Sequence, residues 1–167
     1  MLGQKNMKKI IVMGLGNLLF TDEGLGVHTI EALEKAYSFP PEVELIDGGT
    51  LGLLLLDTLE SAERFLCIDA VNVGKAPGTL VRLEGDELPQ YLGVKMSQHQ
   101  MGFQEVLALA SFRGHLPPEM VLIGVQPDNL EWGLQLSPTV QSVFPQVLEA
   151  VREQLEQWDI DVKPKMG

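Results

Sequence analysis

The chain has 167 residues, which is enough for one domain with a full hydrophobic core. Its formal net charge of −11 would repel phosphate groups, so neither nucleic acid nor an anionic membrane is expected as a partner. The single cysteine, Cys67, excludes an internal disulfide and fits a reducing cytoplasm, where we expect the protein to act. No apolar segment is long enough to cross a membrane.

Apolar patterns along the chain predict strands and helices in alternation. A β-branched run at 9–13 predicts a first strand that ends at Gly14, and an apolar stripe from Val27 to Tyr37 predicts a helix that ends before Pro40. Further strands are predicted at 43–46, 65–69, 79–83 and 120–125, and further helices at 51–59, 100–110 and from Ser137-Pro138 onward.

This alternation predicts the fold class and the domain organisation. We expect a three-layer α/β/α sandwich around a mostly parallel, twisted sheet of about five strands. The strand at 79–83 is expected at an edge of that sheet. Residues 1–6 are interpreted as a loose extension, 7–160 as a single α/β domain and 161–167 as a C-terminal tail. In such folds, ligands bind beyond the carboxyl ends of the strands, and that rule selects the candidate site.

Glu23, Asp69 and His99 are each expected at this edge. Glu23 follows the first strand, and it would lie in the first helical turn if Thr21 caps that helix. Asp69 ends the third strand, and the spacing of Ser97 and Gln100 predicts a capping box around His99. Two carboxylates and an imidazole can hold a borderline divalent ion such as nickel or zinc. Each residue also has a structural interpretation, as a helix-dipole partner, a turn cap or a helix-start residue.

Two glycine-rich segments follow the first and second strands. They are Gly14-Leu15-Gly16-Asn17 and Asp47-Gly48-Gly49-Thr50, and glycine lets a ligand approach the main chain closely. The candidate peptide-binding residues are therefore Gly16, Asn17, Gly48, Gly49 and Thr50. Tight strand-to-helix turns would explain the same glycines. A dinucleotide fingerprint is disfavoured because Leu19 stands where a third glycine is needed.

Five ordered motifs resemble the hydrogenase maturation endopeptidases. The motifs are Gly14–Leu19 with Thr21–Gly24, Asp47–Thr50, Asp69–Val71 with Ala76–Thr79, Ser97–Gln100, and Gly124–Pro127. Together they span most of the chain. One departure is Gln98, where many members of the family carry proline, and it leaves the histidine in place.

The resemblance implies an α/β/α endopeptidase that removes a C-terminal extension from a nickel–iron hydrogenase large-subunit precursor after nickel insertion. It implies Glu23, Asp69 and His99 as metal ligands, and Asp47 as a further acidic residue near the cleft. Glu23, Asp69 and Asp47 are the candidate catalytic carboxylates. The nickel is expected to come with the substrate, although other divalent ions can occupy the site. The size is compatible with a monomer. A non-catalytic nickel carrier with the same ligands is the alternative.

The sequence leaves two mechanisms open. The metal and a carboxylate could activate water together, or the carboxylates could act as general base while the metal only orients the substrate. A covalent route is not expected, because the sequence offers no serine or cysteine nucleophile with a paired base.

Overall fold

A computed structural model describes residues 9–49, 55–88 and 99–166, with the backbone alone for 86 and 99–105. The strands are β1 (Ile10–Leu15), β2 (Tyr37–Ser38), β3 (Val43–Gly49), β4 (Arg64–Ala70), β5 (Leu80–Glu84), β6 (Glu119–Val125) and β7 (Lys163–Pro164). The α-helices are α1 (Leu25–Ala36), α2 (Leu56–Ser61), α3 (His99–Phe112) and α4 (Pro138–Gln157), and the 3-10 turns are Thr21–Gly24 and Gly85–Glu87.

Five strands form the central sheet in the order β3-β1-β4-β6-β5. β1 pairs in parallel with both β3 and β4, and β4 pairs in parallel with β6. β5 is antiparallel to β6 and lies at the edge of the sheet, as predicted for the strand at 79–83. The mostly parallel α/β class is thus confirmed, and the carboxyl ends of β1, β3, β4 and β6 meet at one edge.

Helices cover both faces of the sheet because the buried strand residues alternate between two cores. On one face, α1 and α4 pack on a cluster that includes Val12, Leu66 and Ile123. On the other face, α2 and α3 pack on a cluster that includes Met13 and Cys67. Cys67 is buried and serves as a small apolar side chain in the second core.

Two glycines bring α1 against the end of β1. A Cβ atom on Gly14 would lie 2.2 Å from the Gly26 carbonyl oxygen. A Cβ atom on Gly26 would lie 2.3 Å from the Leu15 carbonyl oxygen and 2.7 Å from that of Ile68. The start of α1 therefore packs backbone to backbone over β1 and β4, which places the preceding turn directly above the carboxyl ends of these strands.

The start of the first helix differs from its prediction. Thr21 does not cap α1, because Thr21–Gly24 form a separate 3-10 turn and α1 begins at Leu25 after Gly24. The Thr21 hydroxyl instead donates a hydrogen bond to the Glu131 carbonyl oxygen at 2.5 Å. Glu23 therefore lies in the turn before α1 and not in the helix itself.

The end of the chain gives two further observations. Ser137 caps α4, and its side chain accepts a hydrogen bond from the Val140 amide, as the Ser137-Pro138 pair predicted. Lys163 and Pro164, which lie within the predicted tail at 161–167, pair with β2 in a two-stranded sheet. Residues 1–6 and 51–54 lie outside the described residues. Among the helices that the structure describes, none is both long and apolar enough to cross a membrane.

Candidate active site at the carboxyl edge of the sheet

Glu23 and Asp69 meet on either side of Gly16. Asp69 lies near the end of β4, and Glu23 lies in the 3-10 turn that follows β1. Gly16 has a φ of +102°, which a residue with a side chain rarely adopts. A Cβ atom there would lie 2.1 Å from the Glu23 carbonyl oxygen and 3.3 Å from Asp69 Oδ1. Glycine at this position therefore lets the backbone of Glu23 and the carboxylate of Asp69 both lie close to it.

Both carboxylate side chains are withdrawn from solvent. Asp69 is 0% exposed and Glu23 is 7% exposed. Among the described residues, Glu23 Oε1 has no hydrogen-bond partner. Burying a carboxylate oxygen without a partner costs free energy, and buried polar groups in native proteins are usually satisfied. Such an atom is typical of a site that is completed by a ligand, here a cation or a hydrogen-bond donor.

Asp22 fixes the turn that carries Glu23. Its fully buried carboxylate accepts four hydrogen bonds, from the Asp128 and Asn129 amides at 2.9 Å, the Ser137 amide at 2.8 Å and the Ser137 hydroxyl at 2.9 Å. The turn is thereby attached to the segment before α4 and to the cap of α4. In the sequence, Asp22 stands out only as part of the first motif, and its adjacency to Glu23 is the signal for this role.

Gln126 holds the loop that follows Asp69. Its Oε1 accepts a hydrogen bond from the Val73 amide at 2.7 Å, and its Nε2 donates one to Asn72 Oδ1 at 3.3 Å. The Gln126 carbonyl oxygen accepts a further bond from the Gly78 amide at 2.8 Å. The fifth sequence motif therefore contributes a side chain that holds the loop after Asp69 in place, a role that the sequence alone did not reveal.

The predicted peptide-binding residues belong to two turns at this edge. Asn17 organises the first turn, since its Oδ1 accepts a hydrogen bond from the Leu19 amide at 2.9 Å. Gly48 lies against Met13, and Gly49 has a φ of +44°. Thr50 lies outside the described residues. No contact with a peptide tests these five assignments, which stay predictions.

The glycines at this edge do not form a phosphate cradle. In a dinucleotide fold, a glycine in the position of Gly16 would approach a pyrophosphate. Here the Asp69 carboxylate lies beside it, and its negative charge would repel phosphate oxygens. The geometry thus agrees with the sequence in disfavouring a dinucleotide site.

His99 is the first residue of α3, as predicted for the amino end of that helix. α3 leads into the amino end of β6, so its own amino end is directed toward the carboxyl edge of the sheet. The His99 side chain lies outside the described atoms. Among the side chains that are described, no group of three or more His, Cys, Asp or Glu could hold a metal ion. The assignment of His99 as third ligand therefore stays a prediction.

Asp47 lies on β3, opposite Gly14 in the β1–β3 register, and β1 separates it from the strand of Asp69. Although Asp47 is exposed, partial desolvation raises the pKa of its carboxyl group, and the negative charge of Glu31 raises it further. A hydrogen bond from the Gly49 amide acts in the opposite direction and lowers the pKa. Asp47 is therefore a stronger base than an ordinary aspartate, at the same edge of the sheet as Glu23 and Asp69.

Asp47→Asn is expected to increase stability at neutral pH. The folded protein disfavours the ionised form of Asp47, because its pKa is raised above the ordinary value of 3.8. The stability that this group contributes is therefore present below that ordinary value and is lost as the pH rises through the raised pKa of the folded state. The difference between variant and wild type in urea unfolding should vanish at acid pH and grow toward neutrality. Glu31→Gln should produce part of the same gain, and a gain confined to acid pH would contradict this account.

Fold and site together define an α/β/α protein with buried carboxylates at the carboxyl edge of its sheet. The sequence profile of the hydrogenase maturation protease family matches residues 27–154. The chain is 44% identical to the hydrogenase expression/formation protein HupD of Rhizobium leguminosarum bv. viciae, over 96% of this chain and 81% of that protein. It is 39% identical to the hydrogenase 2 maturation protease of Escherichia coli, over 94% and 96% of the two chains.

Solved structures agree with these sequence relatives. The hydrogenase maturating endopeptidase HybD from Escherichia coli superimposes with a TM-score of 0.89 at 38% identity, covering 94% of this chain and 98% of that one. The chain therefore belongs to the hydrogenase maturation protease family.

Proposed function

We propose that this chain is an endopeptidase that removes a C-terminal extension from the nickel-loaded precursor of a nickel–iron hydrogenase large subunit. Its relatives among the hydrogenase maturation proteases support the reaction class. The observation that carries the proposal is the buried Oε1 of Glu23, which has no hydrogen-bond partner among the described residues, in a turn whose backbone packs on Gly16 next to the Asp69 carboxylate. A substrate that brings its own cation would satisfy this oxygen.

The donor set fits nickel that arrives with the substrate. Carboxylate oxygens and imidazole nitrogen are ligands that bind borderline divalent ions, and Glu23, Asp69 and His99 would supply both kinds. On this proposal, thiolates of the precursor hold the nickel, and the enzyme's ligands recognise it from the other side. Recognition of the metal then fixes the scissile bond relative to the carboxyl edge of the sheet.

The chain's own residues then support hydrolysis of the peptide bond. Asp47, with its raised pKa, accepts a proton from the attacking water and returns it to the leaving amine. The main chain at Gly16, Gly48 and Gly49 holds the extended substrate. We also propose that the enzyme acts as a monomer in the cytoplasm, where the buried thiol of Cys67 stays reduced.

The test is a processing assay with purified precursor, with and without bound nickel. The wild-type enzyme is expected to shorten only the nickel-loaded precursor, and a precursor truncated at the mature end serves as the substrate control. Equal cleavage of both forms would contradict nickel recognition while leaving the peptidase in place. A nickel carrier would bind the metal and leave the precursor at full length.

A further inference from the structure

Large apolar side chains are exposed beside the turn that carries Glu23. Trp132 is 75% exposed, Leu134 is 61% exposed and Leu19 is 43% exposed. Leu130 on the same segment is 42% exposed. We call Leu19–Phe20 together with Leu130–Leu134 the apolar ridge. Exposed side chains of this size that are grouped on two paired segments are typical of a binding surface.

Backbone hydrogen bonds hold the two parts of the apolar ridge together. The Gly133 amide donates to the Leu19 carbonyl oxygen at 2.9 Å, and the Thr21 amide donates to the Gly133 carbonyl oxygen at 2.9 Å. The rings of Phe20 and Trp132 contact each other with centroids 4.8 Å apart. The exposed tryptophan is therefore held in place by a neighbouring ring, so little conformational entropy is lost when a partner binds it.

The apolar ridge is continuous with the candidate active site. The Glu23 amide donates to the Phe20 carbonyl oxygen at 3.0 Å, so one 3-10 turn joins the ridge to the buried carboxylate. The exposed carboxylate of Glu131 lies within the ridge, and that of Asp128 lies two residues before it. The protein as a whole carries a net charge of −11, which disfavours a second copy of the chain as the occupant and favours a partner with basic residues.

We propose that the apolar ridge binds the substrate precursor beside its scissile bond, through an extended segment with apolar side chains flanked by basic residues. This inference rests on the proposed function, because it assigns the ridge to the same substrate. The ridge supplies binding area that does not depend on nickel. A rigid tryptophan at the centre of an interface commonly contributes much of its binding energy.

Trp132→Ser tests the ridge, with Phe112→Ser as the matched control. Phe112 is 89% exposed, but it ends α3, and the adjacent Arg113 pairs with Glu60 in α2 just before the amino end of β4. It therefore lies away from the site. We expect Trp132→Ser to raise the KM for nickel-loaded precursor and the Kd for nickel-free precursor by about tenfold, with kcat changed by less than about twofold. Phe112→Ser should change none of these values.

Thermal unfolding of each variant shows whether its fold is intact, and Leu134→Ser provides a second ridge variant. Kd and KM values for both ridge variants equal to those of Phe112→Ser would overturn the proposal. So would sedimentation showing a wild-type dimer that Trp132→Ser converts to monomers, because the ridge would then cover a second copy. If wild type binds the precursor through Trp132 but never shortens it, the ridge assignment stands and the endopeptidase proposal fails.

Discussion

Asp22→Asn is expected to lower the free energy of unfolding by about 3–5 kcal/mol, because it breaks a buried, charge-assisted network. Asp22 Oδ2 accepts from the Asp128 and Asn129 amides and from the Ser137 hydroxyl, and an asparagine NH2 group placed there could accept none of these bonds. If the side chain turned the other way, its NH2 group would face the Ser137 amide instead. Neither orientation satisfies all the donors.

Loss of this network should also reduce processing. The same bonds attach the turn of Glu23 to the cap of α4, so the variant frees the turn that places the Glu23 carboxylate. Urea unfolding gives the stability, and the precursor assay gives the activity. Asp128→Asn is the matched control, since it makes the same change at an exposed carboxylate whose backbone amide binds Asp22. It should alter the free energy of unfolding by less than about 0.5 kcal/mol. Equal stability of Asp22→Asn and Asp128→Asn would contradict the anchoring role.

The sequence predicted the strands well because their signal is local. Runs such as 9–13 and 120–125 carry the apolar residues that the central strands of a parallel sheet require. Their order along the chain, together with the rule for carboxyl ends, predicts that Glu23 and Asp69 lie at one edge. Hydrophobic periodicity is thus sufficient to find the class of fold and the side of the sheet where its site lies.

Contacts between distant segments set the features that the sequence did not predict. Thr21 has the residue type of a helix cap, but its hydroxyl bonds to the Glu131 carbonyl oxygen 110 residues away, and α1 begins later. Asp22 similarly binds groups 106 to 115 residues away. Gly26 allows the close approach of α1, although nothing in its local pattern separates it from an ordinary helical glycine. Pairings over such separations leave no periodic signal in one sequence.

Glu23→Gln is expected to reduce processing by about 10²-fold, because loss of a ligand to the substrate's cation misplaces the scissile bond. An amide keeps the size of the side chain but removes the negative charge that would bind the cation of the substrate. Glu153→Gln is the matched control, because Glu153 is an exposed carboxylate on α4, outside the turn of Glu23 and the apolar ridge. It should retain nearly full activity in the same assay.

The stability of Glu23→Gln should stay close to that of the wild type, in contrast to Asp22→Asn. Glu23 Oε1 is buried and makes no hydrogen bond to any described residue, so the substitution breaks no described bond at this atom. The free energy of unfolding should change by less than about 1 kcal/mol, which corresponds to about 2–4 °C in Tm for a domain of this size. A substitution that removes activity and leaves Tm nearly unchanged indicates a residue kept for function. A variant that loses stability and activity together would instead show that Glu23, like its neighbour Asp22, holds the turn in place.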